Sequence, residues 1–343
     1  MKLGLTFGTY APLHHGQQAV IEAGLAEMDA LLVLIYDPPE TPPAPLAVRA
    51  GWLRSLYQSA RVVEAWTSPA GVDDLPDWVA AQQRRLERAG GGRSITHVFS
   101  RGPAGGPVSR ALGAIDRRLD WPGPAGRLSA AAIRRDPFQY RAHMAPLVYQ
   151  DLISNVVFLG APSSGKTTLA ERLAQVFDTQ WMPEYGREYW EAHQVQRRLT
   201  AAQLLEIAQE HLKRETDRLT AANRYLFTDT NAITTATFAR YYHGQVEPRL
   251  AALAAQAVTR YDLVFVCDID IPYADTWDRS GVVNRRVFQR QVLADLHERK
   301  VPYRLLSGPL EDRVTQVRGV LQRFHKYMNV LAPADHYDPH FQR

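Results

Sequence analysis

The sequence predicts two consecutive α/β domains, each built around a mainly parallel β-sheet. The chain has 343 residues, which is too many for one ordinary hydrophobic core. Apolar runs alternate with segments of helical periodicity, and this alternation starts a second time near residue 155. Hydrophobic residues make up 45% of the chain and charged residues 22%, as expected of folded globular protein.

The first half alternates regularly between strand and helix patterns. Prolines between residues 37 and 45 exclude a helix or a central strand, because proline fixes φ and removes a hydrogen-bond donor. We expect a surface loop there, next to the carboxyl end of a strand, where open α/β sheets bind ligands. Residues 101–127 are rich in Gly, Pro and Arg and are expected to be partly mobile. The predicted strands are 2–7, 31–36, 61–66 and 94–100, and the predicted helices are 17–28, 46–57 and 77–89.

The second alternation of strand and helix patterns begins after a domain boundary that we place near residues 145–153. It predicts domains at about 1–150 and 151–330, followed by a tail at 331–343 with little apolar periodicity. The predicted strands are 155–159, 224–228, 261–267 and 303–306, and the predicted helices are 168–176, 201–222, 249–259 and 287–300.

Composition limits the classes of partner. The formal net charge of +4 is a mild basic excess, which a phosphate-rich small ligand explains as well as nucleic acid does. Without a Lys/Arg block or a basic–aromatic patch, we expect no nucleic-acid partner. The N-terminus lacks a signal-peptide pattern, and no apolar run approaches the roughly 20 residues that span a bilayer. We therefore expect a cytoplasmic protein without membrane association, with its single cysteine, Cys267, buried in a strand.

One motif is strong. Residues 160–167 (GAPSSGKT) match the pattern G-x-x-x-x-G-K-[ST] at each fixed position, between a predicted strand and a predicted helix. Glycines allow backbone N–H groups to surround phosphates, and the helix N-terminus adds partial positive charge. Lys166 would reach the β- and γ-phosphates of ATP, and the Thr167 hydroxyl would bind Mg²⁺. The expected nucleotide-binding residues are Gly160, Ser163, Ser164, Gly165, Lys166, Thr167 and Thr168.

Such a site needs a carboxylate beside the magnesium ion, at the end of a neighbouring strand. Two residues are candidates: Asp229 after the strand 224–228, and Asp268 after the apolar run 263–267. Either could instead cap a helix or stabilise a turn, which is the commoner role of an isolated aspartate. Their positions in the sequence do not choose between them.

Arginines cluster between residues 277 and 291. Arginines on a mobile segment can close over phosphates and stabilise the charge that develops during transfer. We expect this role for Arg279 and Arg285, which lie in the turn-rich part, whereas Arg286 and Arg290, four residues apart, equally fit a solvated helix face. No Asn-Lys-x-Asp guanine-binding motif follows, which disfavours a GTPase.

A weaker motif follows the first strand. Residues 8–17 (GTYAPLHHGQ) are similar to the G-x-[FY]-x-P-x-H-x-G-H turn with which nucleotidyltransferases hold ATP phosphates. Residues 128–134 (LSAAAIR) are similar to the start of a phosphate-binding helix in the same enzymes. Each match has a simpler alternative: His14 could be an ordinary surface residue, and Ser129 could cap an ordinary alanine-rich helix. His14 is the candidate catalytic residue. The candidate nucleotide contacts are Gly8, Thr9, Tyr10, His14, Gly16, Gln17, Ser129 and Arg134.

Taken in order, these segments resemble the NadR-type bifunctional nicotinamide-nucleotide adenylyltransferase/ribosylnicotinamide kinase family. The resemblance runs over roughly residues 1–325, without the N-terminal helix-turn-helix domain that some members carry. The matching segments are 8–16, 49–52 (RAGW) and 129–134 in the first half, and 160–168, 184–187 (EYGR), 227–230 (FTDT), 241–244 (YYHG) and 286–289 (RVFQ) in the second.

The resemblance implies a Rossmann-like nucleotidyltransferase domain followed by a P-loop kinase domain. The kinase would use ATP and Mg²⁺ to convert nicotinamide riboside to nicotinamide mononucleotide, and the first domain would join that product to the adenylyl group of ATP, giving NAD. It also implies that Asp229 is the magnesium-side carboxylate, that Glu184 and Arg187 lie near the ribose and the phosphates, and that Glu184 or Asp229 orients or deprotonates the acceptor hydroxyl. The departures, Gln17 for His and Ala131 for Thr, fall on phosphate-contacting positions and predict slow adenylyl transfer.

Two other functions stay open at this point, as does self-association into a homo-oligomer. The first domain could sense NAD or ATP without catalysis and regulate the kinase. The second could be a regulatory ATPase that acts on a protein partner. ATP turnover that requires a nucleoside would exclude the ATPase, and pyrophosphate release from ATP and the mononucleotide would exclude the silent sensor.

Overall fold

The computed structural model describes residues 2–38, 42, 44–71, 73–119, 129–193, 199–272 and 281–327. The chain divides into two compact units, Met1–Leu152 and Ile153–Arg343, and within the described residues each has a five-stranded parallel sheet between helices. The fold class predicted from the sequence is confirmed. The predicted tail lies outside the described residues. Among the described helices, none has the length and apolarity to cross a membrane.

The first unit contains the strands β1 (Leu3–Gly8), β2 (Ala30–Ile35), β3 (Arg61–Glu64), β4 (His97–Ser100) and β5 (Ile115–Arg118). They pair in the order β3-β2-β1-β4-β5, and all pairs are parallel. Helices cover both faces, which explains why β2 is an unbroken apolar run. The strand order reverses at β1, so the crevice between the carboxyl ends of β1 and β4 is the expected ligand site.

The helices of the first unit are α1 (His15–Glu27), α2 (Leu46–Leu56), α3 (Leu75–Ala81), α4 (Gln83–Ala89), α5 (Gly105–Leu112), α6 (Ala130–Arg135) and α7 (Pro146–Leu152). The single helix predicted for 77–89 is wrong, because the backbone breaks at Gln82 into α3 and α4. The part of segment 101–127 that the structure describes contains α5 and β5, and the expected partial mobility of the segment stays a prediction. The strand β5 was not predicted from the sequence, because all four of its residues are exposed.

The second unit contains the strands β6 (Ser154–Leu159), β7 (Gln180–Met182), β8 (Tyr225–Asp229), β9 (Leu263–Cys267) and β10 (Arg304–Leu306). They pair in the order β10-β9-β6-β8-β7, again all parallel. Alternate residues of β6 and β9 enter two cores, one on each face: Val157 and Val266 lie in one, Phe158 and Phe265 in the other. Cys267 is buried at the end of β9, as predicted.

The helices of the second unit are α8 (Lys166–Phe177), α9 (Tyr185–His193), α10 (Ala201–Leu219), α11 (Ala232–His243), α12 (Pro248–Arg260), α13 (Gly281–Glu298) and α14 (Leu310–Leu321). Because β6 lies between β8 and β9, the turn after β6 faces the carboxyl ends of both neighbours. That position brings side chains from the ends of three strands to one site.

Candidate active sites

The turn between β6 and α8 has the backbone of a phosphate-binding loop. Gly160 and Gly165 have φ angles of 133° and 84°, in the left-handed region. A Cβ on Gly160 would lie 2.7 Å from the carbonyl oxygen of Cys267, a contact that excludes any side chain. Lys166 begins α8, so the partially positive N-terminus of the helix lies at the end of the turn.

Two buried side chains hydrogen-bond the backbone at this turn, and neither was among the site residues predicted from the sequence. Gln289 of α13 accepts a hydrogen bond from the N–H of Ala161 (2.7 Å) and donates one to the carbonyl of Cys267 (3.1 Å). Arg313 of α14 donates to the carbonyl of Ser164 at 2.7 Å. These contacts fix the loop backbone in a conformation that suits a polyphosphate.

Arg285 does not lie in the turn-rich segment that the sequence predicted. It lies in α13, which begins earlier than predicted, and it is buried rather than placed in a turn. Its guanidinium group donates to the carbonyls of Ile271 (3.0 Å) and Ser163 (2.9 Å). Arg285 therefore supports the phosphate-binding loop in this structure instead of closing over it from a mobile segment.

The other arginines of this cluster have different positions. Arg286 and Arg290 are exposed on α13, which favours the solvated-face alternative for both. Arg279 lies outside the described residues, so its contact with phosphates stays a prediction.

Lys166, Thr167 and Asp229 meet at the front of the loop. Lys166 is buried, and its Nζ donates to the carbonyl of Ala161 at 2.9 Å. The Thr167 hydroxyl donates to Oδ2 of Asp229 at 2.5 Å. Asp229 is the last residue of β8 and is fully buried, and within the described residues its Oδ1 has no hydrogen-bond partner. Burial raises the pKa of this carboxyl group, against the opposing charge of Lys166 and the Thr167 hydrogen bond.

These oxygens suit a magnesium ion. A buried carboxylate oxygen without a partner, next to a hydroxyl group, is a costly arrangement unless a cation or a donor completes it. Among the described residues no cluster of three or more His, Cys, Asp or Glu could hold a metal alone. An ion here would therefore take its remaining ligands from nucleotide phosphates and water, as Mg²⁺ does in phosphotransferases.

Asp268, the other candidate, has a local role. Its Oδ1 accepts a hydrogen bond from the adjacent N–H of Ile269 at 2.7 Å, and its carbonyl accepts from Arg313 at 3.1 Å. It thus behaves as a turn residue, whereas Asp229 contacts Thr167 directly.

A cavity of about 310 Å³ opens in front of the loop. Glu184 and Arg187 lie on its wall, so the structure brings both together with the phosphate-binding loop. Thr234 of α11, which the sequence analysis missed, is buried on the same wall, and its hydroxyl has no partner within the described residues. Ser164 is buried and is absent from the described lining. The predicted nucleotide contacts that do line the cavity are Gly160, Ser163, Gly165, Lys166, Thr167 and Thr168.

The first unit has a second candidate site, at the turn between β1 and α1. His14 caps α1: its Nδ1 accepts from the N–H of Gly16 at 3.2 Å, and its own N–H donates to Oε1 of Gln17 at 3.3 Å. Burial, together with the positive charge of Arg101, lowers the pKa of His14 to about 4. His14 is therefore neutral at physiological pH and offers a phosphate an N–H group but no positive charge.

A cavity of about 440 Å³ lies at this turn, between the carboxyl ends of β1 and β4. Of the predicted contacts, Tyr10, His14, Gly16, Gln17 and Ser129 line it. Gly8, Thr9 and Arg134 are not among the described lining residues. Arg134 donates to the carbonyl of Ala11 at 3.0 Å, and the carbonyl of Thr9 accepts from the buried Arg49, so these residues support the turn.

Comparison with known families and proteins gives matches to both units. The family model of the AAA domain matches residues 155–313. Over 320 residues the chain is 26% identical to the trifunctional NAD biosynthesis/regulator protein NadR of Salmonella typhimurium strain LT2, covering 88% of this chain and 78% of that protein. The protein of the same name from Escherichia coli strain K12 is 25% identical with the same coverage.

Two solved structures have the same fold along almost the whole chain. One is a NadR protein in complex with NR, with a TM-score of 0.55 and 22% identity, covering 97% of this chain and 98% of the other. The other is a NadR protein in complex with NAD and AMP-PNP, with a TM-score of 0.54 and the same identity and coverage. The resemblance to NadR-type proteins that the motifs indicated is confirmed.

Proposed function

We propose that this NadR-like chain is an NAD-biosynthetic transferase with two activities. Its second unit phosphorylates nicotinamide riboside with ATP, and its first unit adenylates the resulting nicotinamide mononucleotide to NAD, slowly. The relatives that span most of the chain are named for NAD biosynthesis, and a structure with the same fold contains NR.

The observation that carries the kinase assignment is the placement of Glu184 and Arg187. A phosphate-binding loop with Lys166, Thr167 and Asp229 could belong to any ATPase. An acidic and a basic side chain on the wall of the same 310 Å³ cavity supply what a nucleoside acceptor needs, namely a partner for hydroxyl groups and a cation for the transferred phosphate.

In the kinase reaction the 5′-oxygen of the riboside attacks the γ-phosphorus of ATP. The bond from the γ-phosphorus to the bridging oxygen breaks, and ADP leaves with the electron pair. Glu184 accepts the proton of the hydroxyl group. We prefer it to Asp229, because Asp229 is fully buried and bonded to Thr167, whereas Glu184 lies on the cavity wall. Magnesium, when bound at Thr167 and Asp229, would neutralise charge on the β- and γ-phosphates.

In the adenylyl transfer a phosphate oxygen of the mononucleotide attacks the α-phosphorus of ATP, and pyrophosphate leaves with the electrons of the broken bond. The N-terminus of α1 faces the cavity of the first unit and favours binding of the anion. His14 and Gln17 contribute hydrogen bonds without charge, and for that reason we expect this step to be slow.

ADP release measured with and without a nucleoside tests the kinase assignment. We expect ADP release from ATP and Mg²⁺ to depend on nicotinamide riboside and to be much weaker with adenosine, uridine or no nucleoside. ADP release that is independent of any nucleoside would show an ATPase instead. Pyrophosphate release from ATP and nicotinamide mononucleotide tests the first unit separately, and its complete absence would leave that unit as a sensor.

A further inference from the structure

The turn that joins β4 to α5 lies on the cavity of the first unit, facing the turn at α1. Ser100 ends β4, and Arg101, Gly102 and Gly105 follow it along the cavity wall. None of these residues belongs to either motif of the first half. They nevertheless lie at the reversal of strand order, where a ligand of this fold is expected.

The guanidinium group of Arg101 lies directly over the first turn of α1. A Cβ built on Gly16 would come within 2.0 Å of Nη1 of Arg101, so the arginine occupies the space that a side chain at position 16 would fill. Gly16 and Gln17 line the same cavity. Arg101 is therefore next to the backbone N–H groups that would bind a phosphate.

This placement puts two positive features together. The N-terminus of α1 carries partial positive charge, and the first turn of that helix, which the structure describes in full, contains no acidic residue. An anion between the two would be stabilised by both, through the helix N-terminus and through charge-assisted hydrogen bonds from the guanidinium group. The arrangement is that of a site built for negative charge.

The hydroxyl group of Ser100 is an independent sign of a ligand. Ser100 is only 8% exposed, lines the cavity, and its Oγ has no hydrogen-bond partner within the described residues. A buried hydroxyl group without a partner costs free energy unless something binds to it. A phosphate oxygen would accept its hydrogen bond.

We propose that Ser100 and Arg101 form a polyphosphate subsite in the first unit, and that Arg101 supplies the positive charge that Gln17 lacks. The inference rests on the proposed adenylyl transfer. When the bond from the α-phosphorus breaks, negative charge moves to the departing pyrophosphate. Arg101, next to Gly16, is the cation placed to stabilise that charge. Its planar guanidinium group can donate hydrogen bonds to two phosphate oxygens at once.

Binding of inorganic tripolyphosphate by the full-length protein tests the subsite. The Lys166→Ala background weakens the phosphate-binding loop of the second unit, and whatever binding remains there is common to every variant compared. We expect Arg101→Ala to weaken binding about tenfold or more in titration calorimetry, and Arg101→Lys to weaken it less, because it keeps charge but loses the fork. Arg110→Ala is the matched control: it removes an exposed positive charge from α5, outside the described cavity lining, and should leave binding within about twofold.

Gly16→Ala provides a second variant, which retains the arginine. The new methyl group would displace the flexible end of Arg101 and should weaken tripolyphosphate binding in the same direction. In pyrophosphate release from ATP and nicotinamide mononucleotide, Arg101→Ala should lower kcat about 100-fold, as expected for loss of a charge that stabilises a transition state. Kinase turnover, measured with Lys166 intact, should not change. Millimolar guanidinium ion should partly restore pyrophosphate release, which a merely structural role for Arg101 would not allow.

The outcomes separate this inference from the proposed function. Tripolyphosphate binding that is unchanged by Arg101→Ala overturns the subsite, whatever the activity of the unit. If binding falls while the unmodified protein releases no pyrophosphate, the subsite stands and adenylyl transfer fails. If the unmodified protein releases pyrophosphate and Arg101→Ala changes neither measurement, adenylyl transfer stands and the role of Arg101 fails.

Discussion

Replacing Asp229 by asparagine should separate its role in magnesium binding from its effect on stability. Asparagine has almost the same shape and can still accept a hydrogen bond from Thr167. What changes is the charge of a fully buried group whose second oxygen, Oδ1, has no partner among the described residues. Turnover and thermal stability should therefore move in opposite directions.

The stability change follows from the pKa. Burial raises the pKa of Asp229 in the folded protein above its value in the unfolded chain. The group therefore favours folding only at low pH, and this contribution is lost as the pH rises through the folded-state pKa. At neutral pH a neutral amide should relieve a cost on the order of 1–3 kcal/mol. For a unit of this size that raises Tm by about 2–4 °C per kcal/mol. The gain should shrink as the pH approaches the ordinary carboxyl range.

The activity change has the opposite sign. The neutral amide oxygen of asparagine would bind a magnesium ion beside Thr167 more weakly than the carboxylate does. We expect kcat of nucleoside phosphorylation to fall about 10²- to 10³-fold and the half-saturating Mg²⁺ concentration to rise. Asp268→Asn is the matched control. It weakens one local hydrogen bond, to the N–H of Ile269, and should cost at most about fivefold in kcat.

Both measurements use the nucleotide-free full-length protein as the starting point: ADP release over a Mg²⁺ titration, and calorimetric Tm at neutral and acidic pH. Near-normal turnover in Asp229→Asn with an unchanged Mg²⁺ requirement would refute the assignment. So would a larger loss in Asp268→Asn than in Asp229→Asn.

The three remaining predictions concern other residues of the two sites. Lys166→Ala should lower kinase turnover about 100-fold or more with unchanged far-UV circular dichroism, and near-normal turnover would contradict the role of the loop. Gln289→Leu should destabilise the second unit by about 2–4 kcal/mol in urea unfolding and raise the KM for ATP, because it removes the hydrogen bonds of Gln289 to Ala161 and Cys267; equal stability would contradict this. Gln17→His with Ala131→Thr should speed pyrophosphate release roughly 10- to 1,000-fold, and no gain over an already fast unmodified protein would show that the site is not impaired.

The inner strands of the two sheets were predictable from the sequence because both of their faces are buried. The runs 31–35 and 263–267 are apolar throughout; the first forms all of β2 except Ala30, and the second forms all of β9. The edge strands β5 and β7 lack that signal. The four residues of β5 are all exposed, and β7 has only three residues, so neither produces an apolar pattern.

The sites were predictable where chemistry is concentrated in a short segment. The sequence pointed to the loop at 160–167 and to Asp229, and the structure places Thr167 of that loop in contact with Asp229, although only the family resemblance favoured Asp229 over Asp268. Gln289 and Arg313 were missed, because their contacts with the loop join residues more than a hundred positions apart. The spacing of Arg285, Phe288, Gln289 and Val292 on one helix face was the available signal that polar groups of α13 enter the core.

Arg101 shows a different limit of sequence patterns. It belongs to no motif, and its proposed role depends on Gly16, a residue far away in the sequence whose missing Cβ leaves room for the guanidinium group. Such a pairing becomes visible only when β4 is known to lie beside β1.

The central claim is that one chain carries nicotinamide riboside through the mononucleotide to NAD. The most direct test is mass spectrometry of the products formed from ATP, Mg²⁺ and nicotinamide riboside labelled with ¹³C in its ribose. Labelled nicotinamide mononucleotide should appear first with ADP, and labelled NAD should follow more slowly with pyrophosphate. Unchanged labelled riboside alongside ADP and free phosphate would contradict the account.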